Sequence, residues 1–389
     1  MAGKKAVKVG KKKEKAQLTE RKKLTTSEKI RELEEQIGKT KYNKKTQHAI
    51  GLMKAKLAML KEKAVQRAST GKSKGDDRFT VRKTGDGTAV LLGFPSVGKS
   101  TLLNKITNAK SDIAAYAFTT LSAVPGMMLY KYAKIQIIDV PGIVHGAASG
   151  RGRGKEVLGI IRNADLILIL VDAQHPEHYK ALLKEIYETG VRINKERPDV
   201  KITKKARGGV GVGTTVKLTK IDKKMITDIM REMKISNADV LIRTDISADE
   251  LIDVIEGNKR YTKALTVITK KDLVSERRLD KIKKDVKADV VVSAEKEEGI
   301  KELKEGIYNR LGVIRIFLKE VNKQADMEEP LIMFKGSTIR DVCSKLHKDF
   351  VEKFKFARLW GKGAKFDGQI FKKMDKELMD KDVLELHMN

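Results

Sequence analysis

The chain has 389 residues, 40% of them hydrophobic, enough for two or three cored domains and too well patterned for a disordered chain. Its 82 Lys and Arg against 52 Asp and Glu leave a formal net charge of +30, which points to a polyanionic partner rather than an acidic metabolite, the plain alternative being a lysine-rich solvated surface. The single cysteine, Cys343, excludes an internal disulfide and a cysteine metal cluster, and no apolar run approaches the ~18 residues of a membrane span, so a reducing cytoplasm with no membrane contact is expected.

Residues 1–67 hold 21 Lys or Arg against 7 Glu, and this is where a polyanion would be met. Thr25 and Glu28 form a capping box ahead of Ile30, Leu33 and Ile37, and Ile50, Met53, Leu57 and Leu60 repeat the helical spacing after a polar break. The pattern predicts a helical hairpin whose apolar stripe is the seam between its two helices. Tyr42 is the one aromatic among the basic residues, so stacking on bases is not a strong reading here. Residues 68–87, rich in Gly, Ser, Thr and charge, read as a linker.

Thr88 to Leu92 then reads as a buried strand, followed by GFPSVGKST and a helix. Gly93, Phe94, Pro95, Ser96, Val97, Gly98, Lys99, Ser100 and Thr101 fit the G-x-x-x-x-G-K-[ST] phosphate loop in the required strand–loop–helix order. Its glycines let backbone N–H groups turn onto phosphates, the helix terminus adds partial positive charge, Lys99 reaches the outer phosphates, and Ser100 offers a hydroxyl to magnesium. Asp139, about forty residues on, ends the strand IQIID where a second acid is needed for magnesium, and Gly142 brings an N–H toward the terminal phosphate.

Base choice is assigned to a later strand, ALTVI, followed by TKKD at 269–272. The Asp272 carboxylate accepts the ring N–H and exocyclic amine of guanine, which adenine cannot supply in that geometry. The strand-like run VVVSAE at 290–295 brings Ser293 and Ala294 to the guanine carbonyl. The stretch TKID at 219–222 has similar letters but lacks both a convincing strand before it and a Ser-Ala strand end after it.

GFPSVGKST, AAYAFTTLSAVPG (114–126), DVPGIVHGAASGRGRG (139–154), TKKD and VVSA together resemble the Obg superfamily of GTPases, and within it the developmentally regulated GTP-binding proteins, in an archaeal form. The resemblance runs nearly the full length. It implies an α/β fold: a P-loop GTPase domain at 88–175 and 239–312, a small inserted α/β domain at 176–238, the amino-terminal hairpin, and a carboxy-terminal β-grasp-like TGS domain at 313–389. It implies Thr120 as the switch threonine meeting magnesium and the terminal phosphate, with Asp139 and Gly142 in the second switch. Catalysis would then rest on Lys99, Thr120, Asp139 and Gly142, the nucleotide on the phosphate loop, Thr269, Lys270, Asp272, Ser293 and Ala294, and magnesium on Ser100, Thr120 and Asp139.

Functionally the resemblance implies a monomeric GTPase with GTP or GDP and magnesium, working with ribosomes, ribosomal RNA or tRNA in translation, alongside a protein cofactor, and not with DNA. Two departures stand out. Thr269 replaces the usual asparagine, which predicts a weaker tie to the base or phosphate loop and lower GTP affinity, with specificity kept by Asp272; His145 replaces a common glutamate and is not assigned as a base. Ile143 stands where many nucleotide switches carry a water-orienting glutamine. Hydrolysis is therefore expected to be slow until a partner, or a monovalent cation such as potassium, completes the site. Arg151 and Arg153 read as partner-facing charges rather than arginine fingers. The competing reading is an RNA-binding assembly factor that uses GTP only as a conformational ligand.

The remaining chain carries less chemistry. His175 and His178 are spaced for one helix face but lack a third metal ligand. Ser337 or Thr338 should cap a helix burying Ile339, Val342 and Leu346 with Cys343 as a small hydrophobe, DVLELHM should be a last strand, and Trp360 and Phe366 are expected in the core.

Overall fold

The computed structural model describes residues 25–69, 85–107, 124–140 and 154–388. Thr120, Gly142, Ile143, His145, Arg151 and Arg153 lie outside the described residues. The chain divides into two compact units, one of Met1–Gly75 with Arg197–Lys259 and one of Asp76–Glu196 with Arg260–Asn389. Among the described residues no helix is long and apolar enough to cross a membrane.

Helix α1 (Thr26–Lys39) opens on the expected box: the Thr25 hydroxyl accepts the Glu28 N–H at 3.3 Å and the Glu28 carboxylate accepts the Thr25 N–H at 2.7 Å. It folds back on α2 (Gln47–Ser69), with Lys61 reaching Glu34 at 2.7 Å. Ile30, Leu33 and Ile37 are only half-buried, so the seam alone is a thin core.

The second unit begins with β1 (Gly87–Leu92), α3 (Lys99–Ile106), β2 (Val124–Tyr130), β3 (Ala133–Asp139), α4 (Gly154–Asn163), β4 (Leu166–Asp172), α5 (His178–Glu188) and β5 (Val191–Ile193). Every residue of β1 and of β4, LILILVD, is buried, as expected of parallel strands covered on both faces. The chain then leaves this sheet for β6 (Val200–Lys204), β7 (Val210–Thr214), α6 (Lys223–Glu232), β8 (Ala238–Ile242) and α7 (Ala248–Glu256).

The three strands among these form their own sheet, order β6-β8-β7, with β8 antiparallel to β6 and parallel to β7. The interruption therefore runs from Arg197 to Lys259, not from 176 to 238. Strand pairing is the reason: β5 hydrogen-bonds the start of the strand at 260–269, and β8 is the centre of the inserted sheet rather than part of the segment 239–312 expected for the other domain. The hairpin joins this small body. Ala55 sits in one core with Met225, Ile226, Ile229, Val240 and Ile252, and Ile50 and Gly51 are buried. A side chain at Gly51 would collide with Met225. Around this patch His48 meets Asp228 at 3.0 Å, Lys54 meets Asp249 at 2.7 Å, and the Gln47 amide donates to the Lys220 carbonyl. The buried face of α2 is thus turned to the insert, and the expected helix–helix seam is the lesser contact.

The nucleotide sheet resumes with β9 (Arg260–Thr269), α8 (Glu276–Val286), β10 (Val290–Val291) and α9 (Ile300–Leu311). Its order is β10-β9-β4-β1-β3-β2, with β5 also on β9; β2 runs antiparallel and the other strands parallel. In such sheets ligands collect beyond the carboxyl ends of the strands. Here Gly93, Asp139, Asp172, Thr269 and Ser293 all stand at or just past those ends.

The last segment pairs β11 (Val313–Lys319), β12 (Leu331–Phe334), β13 (Phe354–Trp360), β14 (Gln369–Phe371) and β15 (Asp382–Met388) in the order β12-β11-β15-β13-β14, with α10 (Ile339–Leu346) and α11 (Lys348–Glu352) between β12 and β13. Thr338 caps α10 in a box with Asp341; Ile339, Val342 and Cys343 are buried, and burial pushes the Cys343 thiol up. Leu346 is half-buried, packed against that core without entering it. Phe366 is 65% exposed, contrary to expectation, because it lies on the turn between β13 and β14, past the last core position. Trp360 is half-buried, with the Lys319 ammonium 4.6 Å from its ring.

Candidate nucleotide site

Strand β1 delivers Gly93, where a Cβ would lie 2.9 Å from Val97 Cγ1 and 3.1 Å from the Leu170 carbonyl oxygen, so a side chain there would force the loop open. Gly98, at φ 91°, turns the chain into α3, whose N-terminus faces the loop. Ser96 also takes a left-handed conformation, φ 62°. The Lys99 ammonium donates to the Gly93 carbonyl at 3.0 Å and the Phe94 carbonyl at 3.1 Å, curled over the loop. Burial pushes its pKa down, with Asp139 pulling the other way.

The Ser100 hydroxyl donates to Asp139 Oδ2 at 3.0 Å. Asp139 is 6% exposed, and its other oxygen, Oδ1, has no hydrogen-bond partner among the described residues. A buried, unpaired carboxylate oxygen beside a hydroxyl is a costly arrangement without a cation, and all-oxygen donors suit magnesium. These residues fit the ion.

On the base side, Thr269 is 3% exposed and its hydroxyl donates to the Val97 carbonyl at 2.8 Å and the Val171 carbonyl at 3.3 Å. Despite the loss of asparagine a tie is present: the shorter side chain still reaches the phosphate loop. Lys270, left-handed at φ 56°, pairs with Asp172 at 2.8 Å. Asp272 sits in a short 3-10 turn, Lys271–Leu273. Its carboxyl is held below the ordinary value first by the hydroxyl of fully buried Ser293, and then by the charges of Lys296 and Lys270. The strand before Ser293 is only Val290–Val291, so Ser293 and Ala294 lie in the turn beyond it.

Asp172 was not singled out in the sequence, although it ends LILILVD as Asp139 ends IQIID. Its register opposite Thr269 gives it a place in the site. A 290 Å³ cavity lies between it, Lys270 and the outer side of Phe94–Val97. There His178 stacks on Phe94 at 4.3 Å and on His175 at 5.4 Å. Only His178 is in α5, and no cluster of metal-binding side chains occurs among the described residues. The decoy Asp222 caps α6, accepting the Met225 N–H at 2.7 Å.

A phosphate loop at the end of β1, an acid at the end of β3 and a base-reading turn after β9 define a P-loop GTPase. The family described as 50S ribosome-binding GTPase matches residues 88–205, the C-terminal region of that domain matches 207–313, and the TGS domain matches 314–388. An uncharacterized GTP-binding protein of Methanocaldococcus jannaschii is 51% identical over 361 residues, 92% of this chain and 91% of that one. Developmentally-regulated GTP-binding protein 2 of Homo sapiens is 39% identical over 343 residues, 88% of this chain and 94% of the relative, and its Dictyostelium discoideum homolog is 40% identical over 360 residues, covering 92% and 98%. The chain belongs to the developmentally regulated GTP-binding protein family, and is a GTP-binding protein with a TGS domain.

Proposed function

We propose that the chain hydrolyses GTP to GDP and phosphate as a slow, partner-stimulated switch that acts on ribosomes through RNA. The observation that carries the reading is the cradle at the strand ends: Lys99 over the phosphate loop, Ser100 against Asp139, and Asp272 in the turn just past β9. Lys99 neutralises the outer phosphates, the loop N–H groups and α3 terminus hold them, and Thr269 keeps the base half fixed to the phosphate half. Ser100 and Asp139 would hold magnesium, joined by Thr120, and the ion would supply charge neutralisation on the phosphates.

Ile143 stands where a glutamine would orient the attacking water, so intrinsic turnover should be on the order of 10⁻⁴ to 10⁻² per second. A partner's arginine can add about 10³- to 10⁵-fold, and potassium beside the phosphates is the alternative completion. Arg151→Ala and Arg153→Ala are expected to leave intrinsic turnover nearly unchanged. The ribosome is supported by the description of the matching family and by the net charge of +30. The test is multiple-turnover GTP hydrolysis in potassium buffer, with and without ribosomes from the matching source. A hundredfold rise supports a ribosome-triggered GTPase; tight GTP binding with no rise supports a conformational ligand or a different activator.

A further inference from the structure

The turn from Ser293 to Gly299, which carries the two residues assigned to the guanine carbonyl, is closed on itself. Ser293 donates its N–H to the Glu298 carbonyl at 3.0 Å and Glu298 returns one at 3.1 Å. Inside it, Glu297 is left-handed at φ 57° and Gly299 at φ 77°, and a Cβ at Gly299 would collide with the Val291 carbonyl. Left-handed backbone at a residue such as Glu297 is disfavoured and persists where its surroundings over-determine it.

Two ion pairs add to the constraint that the backbone cross-bonds set. Glu297 Oε1 meets Lys105 Nζ at 2.5 Å, and Glu298 Oε2 meets Lys271 Nζ at 2.6 Å. The lysines hold both carboxyls below their ordinary values. Their positions give the pairs meaning: Lys105 is in α3, the helix that starts at the phosphate loop, while Lys271 lies between Lys270 and Asp272 in the base-reading turn. One pair spans from the phosphate half of the site to the base half, and the other fastens the two base-side segments together. A lysine in the last turn of α3 also complements the helix terminus, so its presence alone would have a purely structural explanation. The acid it reaches, in a strained turn 192 residues away, does not.

We infer that Glu297 and Glu298 are positioning residues for the guanine nucleotide: without touching it, they hold the Ser293–Ala294 turn against Asp272 and so set how long the nucleotide stays. The inference rests on the guanine-nucleotide reading of this site. Glu297 and Glu298 side chains are 65% and 52% exposed, so the pairs are individually weak and open to screening. Nucleotide release is therefore accelerated by salt, and by a few-fold rather than by orders of magnitude when one pair is reversed.

The test is stopped-flow release of a fluorescent GDP analogue from the full chain at low and high KCl. Lys105→Glu and Glu297→Lys should each speed release about three- to tenfold at low salt, with the difference shrinking at high salt. The double variant, with the charges exchanged, should return to within about twofold of the unaltered chain, while the thermal midpoint of the nucleotide-free protein stays the same in all four. Reversals that leave release unchanged, or a double variant as fast as the singles, overturn the inference, as does a loss of thermal stability matching the gain in release. No analogue binding by the unaltered chain would sink the nucleotide reading and this inference with it; normal binding with charge-indifferent release would sink the inference alone.

Discussion

The stretches TKKD at 269–272 and TKID at 219–222 differ by one letter and do unrelated work. Thr269 is 3% exposed at the end of a buried strand, its hydroxyl on the phosphate loop, and the aspartate three residues on is held below its ordinary value, chiefly by buried Ser293. Thr219 is exposed and donates to Asp245 at 2.9 Å through its N–H, and Asp222 starts a helix. What separates them is their neighbours: a parallel strand before and a Ser-bearing strand end after place the first at the candidate site, whereas a loop before and an amphipathic helix after make the second a cap. The same carboxylate chemistry, accepting N–H groups, serves both.

Four substitutions bear on that contrast. Asp272→Asn should weaken GTP binding at least a hundredfold, about 3 kcal/mol, and improve binding of xanthine nucleotides, whose carbonyl meets the new amide; isothermal titration with GTP and XTP measures both. Asp222→Asn should change neither, because asparagine caps helices as well as aspartate. Thr269→Val, which removes the link to Val97, should lower global stability by about 1–2 kcal/mol in urea unfolding and shorten GDP residence, and a neutral result would return this position to the weak tie its sequence suggests. Asp222→Ala should cost about 1 kcal/mol of stability with nucleotide affinity intact.

The smallest non-zero effect is one of pH. Because Asp272 is held below the ordinary aspartate value, it stays ionised as pH falls through that range, and guanine binding that depends on its charge is lost only when pH falls through its own lowered value. Ser293→Ala removes the largest cause of the lowering, so the acid loss of binding should begin at a higher pH, visible as a shifted titration of GDP affinity.

The parts of the site legible in the sequence are those whose geometry is local. GFPSVGKST specifies its own turn and helix start, and Asp139 and Asp272 follow apolar strands within a residue or three, so spacing along the chain stands in for position in space. Asp172 needed the pairing of β4 with β9 to be placed beside Lys270, and no spacing in the sequence carries that. The limits of the insert were missed for the same reason: ADVLI is a short apolar run that suits either sheet, and only its pairing with residues 200–204 and 210–214 assigns it. The hydroxyl of Thr269 reaches its carbonyl because the loop approaches closely enough, a distance no motif encodes.

The patch formed by Ile50, Gly51 and Ala55 on the insert has a consequence for synthesis on the ribosome. Its polar fastenings join residues 173, 180 and 195 positions apart, Gln47 to Lys220, His48 to Asp228 and Lys54 to Asp249. At about 5–20 residues per second, the apolar side of α2 emerges roughly 10–40 s before the chain that will cover it, while most of the GTPase segment between them is made. The nascent chain thus carries the apolar side of α2 uncovered by the insert until about Lys259 is made, when β9, β10 and the last five strands are still to come.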